Sequence, residues 1–260
     1  RFGMDLRLTF NEDVLNYDKM RPTYVKDLYD DVIQFSNLDI NKKALEIGIG
    51  TGQATLPFLN SGCKITAVEL GKDLAEFSKE KFSKFNNFDI INNDFESVDL
   101  RNSPFDLIYS ATAFHWIPQE TGYTKAYQVL KSGGALALFW NHPSRPEDDL
   151  HIAMQKIYDK YMPATHPKSK VHKFSEDKCL EIVNTIKQYG FIDVNYKLYY
   201  QTRIFDANSY IALLNTYSDH RALQKDKWRL FEEEMRVAIS NNGGQVDIHD
   251  TMDLYLSIKP

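Results

Sequence analysis

Ala44-Leu45-Glu46-Ile47-Gly48-Ile49-Gly50-Thr51-Gly52-Gln53-Ala54-Thr55 is the most tightly specified stretch of the 260-residue chain. An apolar strand runs into a turn with three glycines, and a helix is expected after it. Glycine takes positive φ without steric cost and lets a ligand come close to the backbone. Alternating glycines between a strand and a helix therefore describe a loop shaped around a nucleotide-like ligand. The free N–H groups of the next helix then face the ligand's polar groups.

Outward from this loop, apolar strand-like runs alternate with helical ones. Strands are expected at 43–47, 64–68, 88–91, 105–109 and 135–140. Helices are expected at 24–35, 53–59, 73–82 and 123–130, with Asn60-Ser61-Gly62 and Ser132-Gly133-Gly134 as stops. Such alternation implies βαβ units with right-handed crossovers, and so a parallel sheet with helices on both faces. Ligands in such sheets sit beyond the carboxyl ends of the strands. The glycine loop, Glu69, Asp94 and residues 110–116 all fall there.

Beyond Trp140 the alternation loosens. Residues 141–173 carry Pro143, Pro146, Pro163 and Pro167 around a helical stretch at 150–161. A helix is expected at 175–189, with Ser175 as its N-cap and Gly190 closing it. A long strand at 191–205, helices at 206–223 and 227–239, and a final strand at 246–259 complete the chain. The expected fold is an α/β, mostly parallel seven-stranded sheet with an antiparallel C-terminal strand. One domain, 1–260, is expected. Residues 41–140 form its ligand-binding half, and 1–36, 141–173 and 205–243 its lid and substrate segments.

A net charge of −5 and a pI near 5.8 argue against a nucleic-acid partner. The densest basic run, Lys168-Ser169-Lys170-Val171-His172-Lys173, is short enough to be a solvated loop. Cys63 and Cys179 stand far apart in no metal-ligand spacing, so buried thiols in a reducing compartment and no metal are expected. There is no 18-residue apolar run for a membrane span and no signal-like apolar region in the first ten residues. Met4 reads as the natural start. A cytoplasmic protein without a membrane partner, monomer or homodimer, is expected.

The loop fits a dinucleotide fingerprint only in part. Gly48, Gly50 and Gly52 are spaced G-x-G-x-G, Gln53 occupies the position of the third dinucleotide glycine, and Glu46 precedes the loop. No Lys-Ser or Lys-Thr follows, so it is not a P-loop. The motif Glu46-Ile47-Gly48-Ile49-Gly50-Thr51-Gly52 resembles the first motif of the class I S-adenosylmethionine-dependent methyltransferases. Glu69 after the second strand, Asp94-Phe95 after the third and Phe105-Asp106-Leu107-Ile108 in the fourth resemble later motifs of that family. Phe114-His115-Trp116 and Tyr17-Asp18-Lys19-Met20-Arg21-Pro22-Thr23-Tyr24 resemble its small-molecule subgroup related to trans-aconitate methyltransferase. The resemblance covers residues 17–140 and implies a Rossmann-like fold with S-adenosyl-L-methionine as cofactor.

Within that resemblance, Glu69 suits the two ribose hydroxyls through charge-assisted bonds. Asp94 suits the adenine amino group, with Leu70 or Phe95 packed on the ring. The loop carbonyls, with Glu46 nearby, suit an ammonium, and Arg21 or Tyr17 suits a carboxylate. Ser110 and Ala111 complete the expected cofactor wall. Each residue also has a plainer reading: Glu46 as an anchor of loop amides, Asp94 as a turn residue, Arg21 as a surface ion pair, Tyr17 and Trp116 as core aromatics.

Methyl transfer from a sulfonium is a direct displacement, for which the protein supplies position and a shaped site. His115 is the candidate base for a hydroxyl or amine acceptor, or else lines the pocket. Acceptor contacts are expected from His115, Trp116, Trp140, Tyr217 and Arg221, within a lid that also contributes His142, Tyr158, Tyr161, Tyr210 and His220. Arg145 and Arg221 are the cations expected for a carboxylate on the acceptor. The expected function is methyl transfer to O, N or C of a small molecule. A nicotinamide-dependent oxidoreductase and a non-catalytic cofactor-binding protein are the alternatives.

Overall fold

The computed structural model describes residues 18–21, 23–101, 104–163, 174–217, 220 and 222–260. Helix α1 (Lys26–Ser36) buries Leu28, Tyr29 and Val32 on one face. It ends where Asn37 adopts a left-handed φ of +50° and Leu38 N–H reaches Ile33 O at 3.0 Å. The glycine-loop half follows as β1 (Lys43–Ile47), α2 (Leu56–Leu59), β2 (Lys64–Glu69), α3 (Lys72–Lys81), β3 (Phe88–Asn92), β4 (Phe105–Ala111), α4 (Gln119–Val129) and β5 (Leu130–Ser144). The chain closes through α5 (Asp149–Tyr161), α6 (Glu176–Gln188), β6 (Ile192–Phe205), α7 (Ala207–Leu214), α8 (Lys225–Asn241) and β7 (Val246–Ile258).

The seven strands form one sheet in the order β3-β2-β1-β4-β5-β7-β6. The first five run parallel, and β7 lies antiparallel between β5 and β6. The order reverses between β1 and β4, which opens a crevice at their carboxyl ends. Both faces are covered, so the parallel strands read as apolar runs. Ala44, Ile65, Tyr109 and Phe139 pack beneath α1 and α2. Their neighbours Leu45, Ile108 and Leu138 pack against α4 and α6 on the other face. A third cluster joins α5, α7 and α8 to Val246 and Ile248 at the start of β7.

Several boundaries differ from expectation for local reasons. The second helix starts only at Leu56, because Gly52 at φ +83° keeps residues 51–55 in turns. The Gly133-Gly134 pair does not separate α4 from the next strand: β5 starts at Leu130, and its register with β4 shifts between Phe105 and Leu107. Ser175 stands at the N-cap of α6 with extended backbone, but its hydroxyl makes no capping bond. Gly190, at φ +96°, lies just beyond that helix as expected. The helix expected over 206–223 stops at Leu214, where Thr216 Oγ1 bonds Leu213 O at 2.6 Å and draws the chain into a turn.

Candidate functional site

The turn after β1 holds Gly48, Gly50 and Gly52 at φ +71°, +61° and +83°. A Cβ on Gly48 would stand 2.5 Å from Ala113 Cβ, and one on Gly52 2.5 Å from the Phe82 ring. Gly50 is required by its φ alone, since the nearest atom to a Cβ there is Gln53 Oε1 at 3.5 Å. The loop is pinned from α3. Ser78 Oγ donates to Gly50 O at 2.7 Å, and Lys81 Nζ donates to Thr51 O at 2.8 Å while pairing with Asp18. Two of the carbonyls expected to face an ammonium therefore already carry protein partners.

Glu69 ends β2 and faces the loop. Its Oε1 accepts from Gly50 N–H at 2.7 Å and its Oε2 from Gly71 N–H at 2.8 Å. Two backbone N–H groups of the loop region thus fix the orientation of the carboxylate. The side chain is buried yet borders a cavity of about 280 Å³.

The cavity gathers the segments expected to converge. Gly48 and Gly50 bound it beside Glu69 and Leu70. Asp94 and Phe95 close it beyond β3, and Ala111, His115 and Trp116 beyond β4. Arg21 and Tyr217 meet across it, with the guanidinium 4.5 Å from the phenol ring centre. Asp94 Oδ1 also accepts from Ser97 N at 3.1 Å, as a turn aspartate does. Lys125 Nζ donates to the carbonyls of Phe95, Glu96 and Val98, which holds this loop against α4.

Other expected residues stand away from the cavity. Glu46 is 1% exposed behind the loop, accepting from Thr55 Oγ1 at 2.7 Å and 3.0 Å. Burial pushes its carboxyl up to about 8, with the Thr55 bond opposing. Gly52 packs on Phe82, and the buried Ser110 donates to Ile47 O at 2.8 Å, tying β4 to β1. Tyr158 and Tyr210 are buried in the helical cluster with His220, which bonds Tyr158 OH at 2.7 Å. Arg145 is held by Asp247 O at 3.0 Å and Asp148 at 3.5 Å, outside the cavity wall. Tyr17 and Arg221 lie outside the described residues.

Trp140 also misses the cavity. It stands on the opposite face of β5 and donates its Nε1–H to His115 Nδ1 at 2.9 Å. An indole nitrogen only donates, so Nδ1 must accept, and the neutral imidazole carries its proton on Nε2. Burial, and then His142, lower the affinity of His115 for a second proton. The ring is thus a hydrogen-bond donor through Nε2, and the lone pair a base would need is taken by Trp140.

Sequence reasoning did not find Tyr24, Thr112, Asn141 or Arg203, all of which border the cavity. Tyr24 OH and Thr112 Oγ1 bond to each other, and Thr112 has φ +50°. Asn141 and Arg203 come from the long strands of the antiparallel edge. No group of His, Cys, Asp or Glu among the described residues is placed to hold a metal ion, and no helix among them is long and apolar enough to cross a membrane.

Residues 45–138 match the family model described as a methyltransferase domain. An uncharacterized methyltransferase-like protein of Schizosaccharomyces pombe is 32% identical over 139 residues, 53% of this chain and 53% of that relative's length. This match thus spans about half of each protein. Malonyl-[acyl-carrier protein] O-methyltransferase of Acetivibrio thermocellus is 27% identical across 89% of this chain and 87% of its own. Among solved structures, phosphoethanolamine N-methyltransferase 2 of Haemonchus contortus, in complex with phosphomonomethylethanolamine and S-adenosylhomocysteine, superposes with a TM-score of 0.56. It is 12% identical and covers 96% of this chain and 57% of its own.

Proposed function

We propose that the chain, whose residues 45–138 match a methyltransferase domain, is an S-adenosylmethionine-dependent enzyme that transfers the methyl group to O, N or C of a small-molecule acceptor, leaving S-adenosylhomocysteine. The observation that carries this reading is the pairing of Glu69 with the glycine loop. An acidic strand end whose carboxylate is fixed 2.7 Å from Gly50 N–H borders a cavity sized for small ligands rather than for a polymer groove.

The residues present fit the cofactor. Gly48 leaves open backbone where a side chain would strike Ala113. Glu69 accepts from the ribose hydroxyls, Leu70 and Phe95 pack the adenine, and Asp94 accepts from its amino group. Arg21 neutralises the carboxylate of the amino-acid end, the role for which Tyr17 is the other candidate. Glu46, behind the loop, serves the loop's shape and not its ligand. When bound, the cofactor supplies an electrophilic methyl on a positively charged sulfur. The chain's part is to align the acceptor with it and exclude water. His115, held by Trp140, donates from Nε2 to the acceptor and fixes its orientation.

The chain works as one domain, with residues 41–140 as the cofactor half and the helices of 141–173 and 205–243 as the acceptor side. The acceptor is taken to be of the small-molecule class related to trans-aconitate methyltransferase, a reading supported by His115 and Trp116 at the cavity wall, with Phe114 buried behind them. A cytoplasmic location accords with it.

Two measurements test this reading. S-adenosylhomocysteine is expected to raise the melting temperature and NAD to leave it unchanged. Incubation with methyl-labelled cofactor and a pool of small metabolites is expected to yield a labelled small molecule. Stabilisation by NAD alone would point to an oxidoreductase, and cofactor binding without any labelled product to a binding protein.

A further inference from the structure

We propose that Arg203 and Asn141 form an acceptor subsite for a carboxylate that stands beside a hydroxyl or N–H group; the proposal rests on the methyltransferase reading above. Both residues border the cavity, Asn141 from β5 and Arg203 from β6. Asp250 of β7, 1% exposed, lies between them and fixes both.

The geometry leaves two hydrogen-bonding positions open. Arg203 meets Asp250 side-on, with Nε 2.6 Å from Oδ2 and Nη2 2.8 Å from Oδ1. That grip leaves the other edge of the guanidinium, and Nη1 makes no hydrogen bond among the described residues. A guanidinium edge matches a carboxylate through two parallel N–H bonds. Asn141 Nδ2 donates to Asp250 Oδ1 at 3.1 Å, and Gln201 Nε2 to Oδ2 at 3.0 Å. An ionised carboxylate only accepts, so the amide nitrogen of Asn141 must face Asp250 and its oxygen must face away. That oxygen is buried and has no hydrogen-bond partner among the described residues. A buried unpaired acceptor is unusual and calls for a donor. A guanidinium with a remaining edge and an amide with an unpaired oxygen are thus held by one buried carboxylate.

Sheet order says which end of the cavity this is. Asp94 follows β3, at one sheet edge, whereas Arg203 lies on β6 at the other. The adenosine-binding residues and the Arg203 group therefore occupy opposite ends of the crevice. Asp250 offsets the charge of Arg203, so what this end offers an anion is the remaining N–H edge of the guanidinium and not a net charge.

The test is calorimetry on the protein saturated with S-adenosylhomocysteine, using malate (a carboxylate beside a hydroxyl), succinate and dimethyl malate as probes. Malate is expected to bind, succinate more weakly, and the diester at least tenfold more weakly than malate. Arg203→Met is expected to weaken malate at least tenfold while leaving the Kd for S-adenosylhomocysteine within twofold. Arg203→Lys keeps a cation for Asp250 without the fork, and is expected to show the same loss if the methionine variant does not fold. Asn141→Leu is expected to erase the preference for malate over succinate. Equal binding of acid and ester, or no binding of malate, overturns the subsite while leaving the cofactor reading intact. An equal loss of S-adenosylhomocysteine affinity in both Arg203 variants would assign Arg203 to the cofactor instead. Failure of the wild type to bind S-adenosylhomocysteine would remove the methyltransferase reading, and this subsite with it.

Discussion

Glu46 is a carboxylate inside a strand whose neighbours Ala44, Leu45 and Ile47 are all buried. Its position two residues before Gly48 was plain in the sequence, but its direction was not. The side chain turns behind the loop to Thr55 and away from the cavity. Burial holds its carboxyl at about 8, above the ordinary 4.5. The folded chain therefore keeps a proton that the unfolded chain releases as pH rises from about 4.5 to about 8. More protons bound in the folded state means that stability falls as pH rises across that window. Glu46→Gln removes the titration and is expected to flatten the fall in melting temperature over that range. An unchanged slope would mean that Glu46 is not protonated in the fold. Trp140 was misplaced for a related reason. Successive residues of a strand point to opposite faces. Because β5 continues to Ser144, Asn141 and Pro143 face the cavity while Trp140 faces away.

Among the elements, the glycine loop was the most legible, because its requirements are local and steric. The three glycines are nevertheless not equivalent. Gly52→Ala forces a Cβ into the Phe82 ring at positive φ and is expected to cost about 3 kcal/mol or more in chemical denaturation. Gly50→Ala meets no close neighbour and is expected to cost only about 1–2 kcal/mol, the backbone term. Equal costs would show that packing on Phe82 does not shape the loop. The parallel strands were legible because burial on both faces makes them short apolar runs. Helix ends were less so. The stop at Leu214 depends on a hydroxyl–carbonyl bond that composition does not announce.

At the scale of the whole molecule, the order β3-β2-β1-β4-β5-β7-β6 divides the work between two sheet edges. One half, read from strand-end acids and glycines, bears the donor's expected contacts. The other bears Asn141, Asp250 and Arg203, three strands' worth of residues that meet only through pairing of β5, β6 and β7. Their sequence neighbours give no hint of that meeting, whereas the glycines and strand-end acids are local features that the chain displays directly. The same division makes the donor end the place to test the account. Isothermal titration of S-adenosylhomocysteine into the wild type and Glu69→Ala, with melting temperatures recorded for both, is the most direct measurement. One-to-one binding by the wild type is expected, with an affinity at least tenfold lower in the folded variant, about 1.4 kcal/mol or more. Equal affinities, or no binding by the wild type, would contradict it.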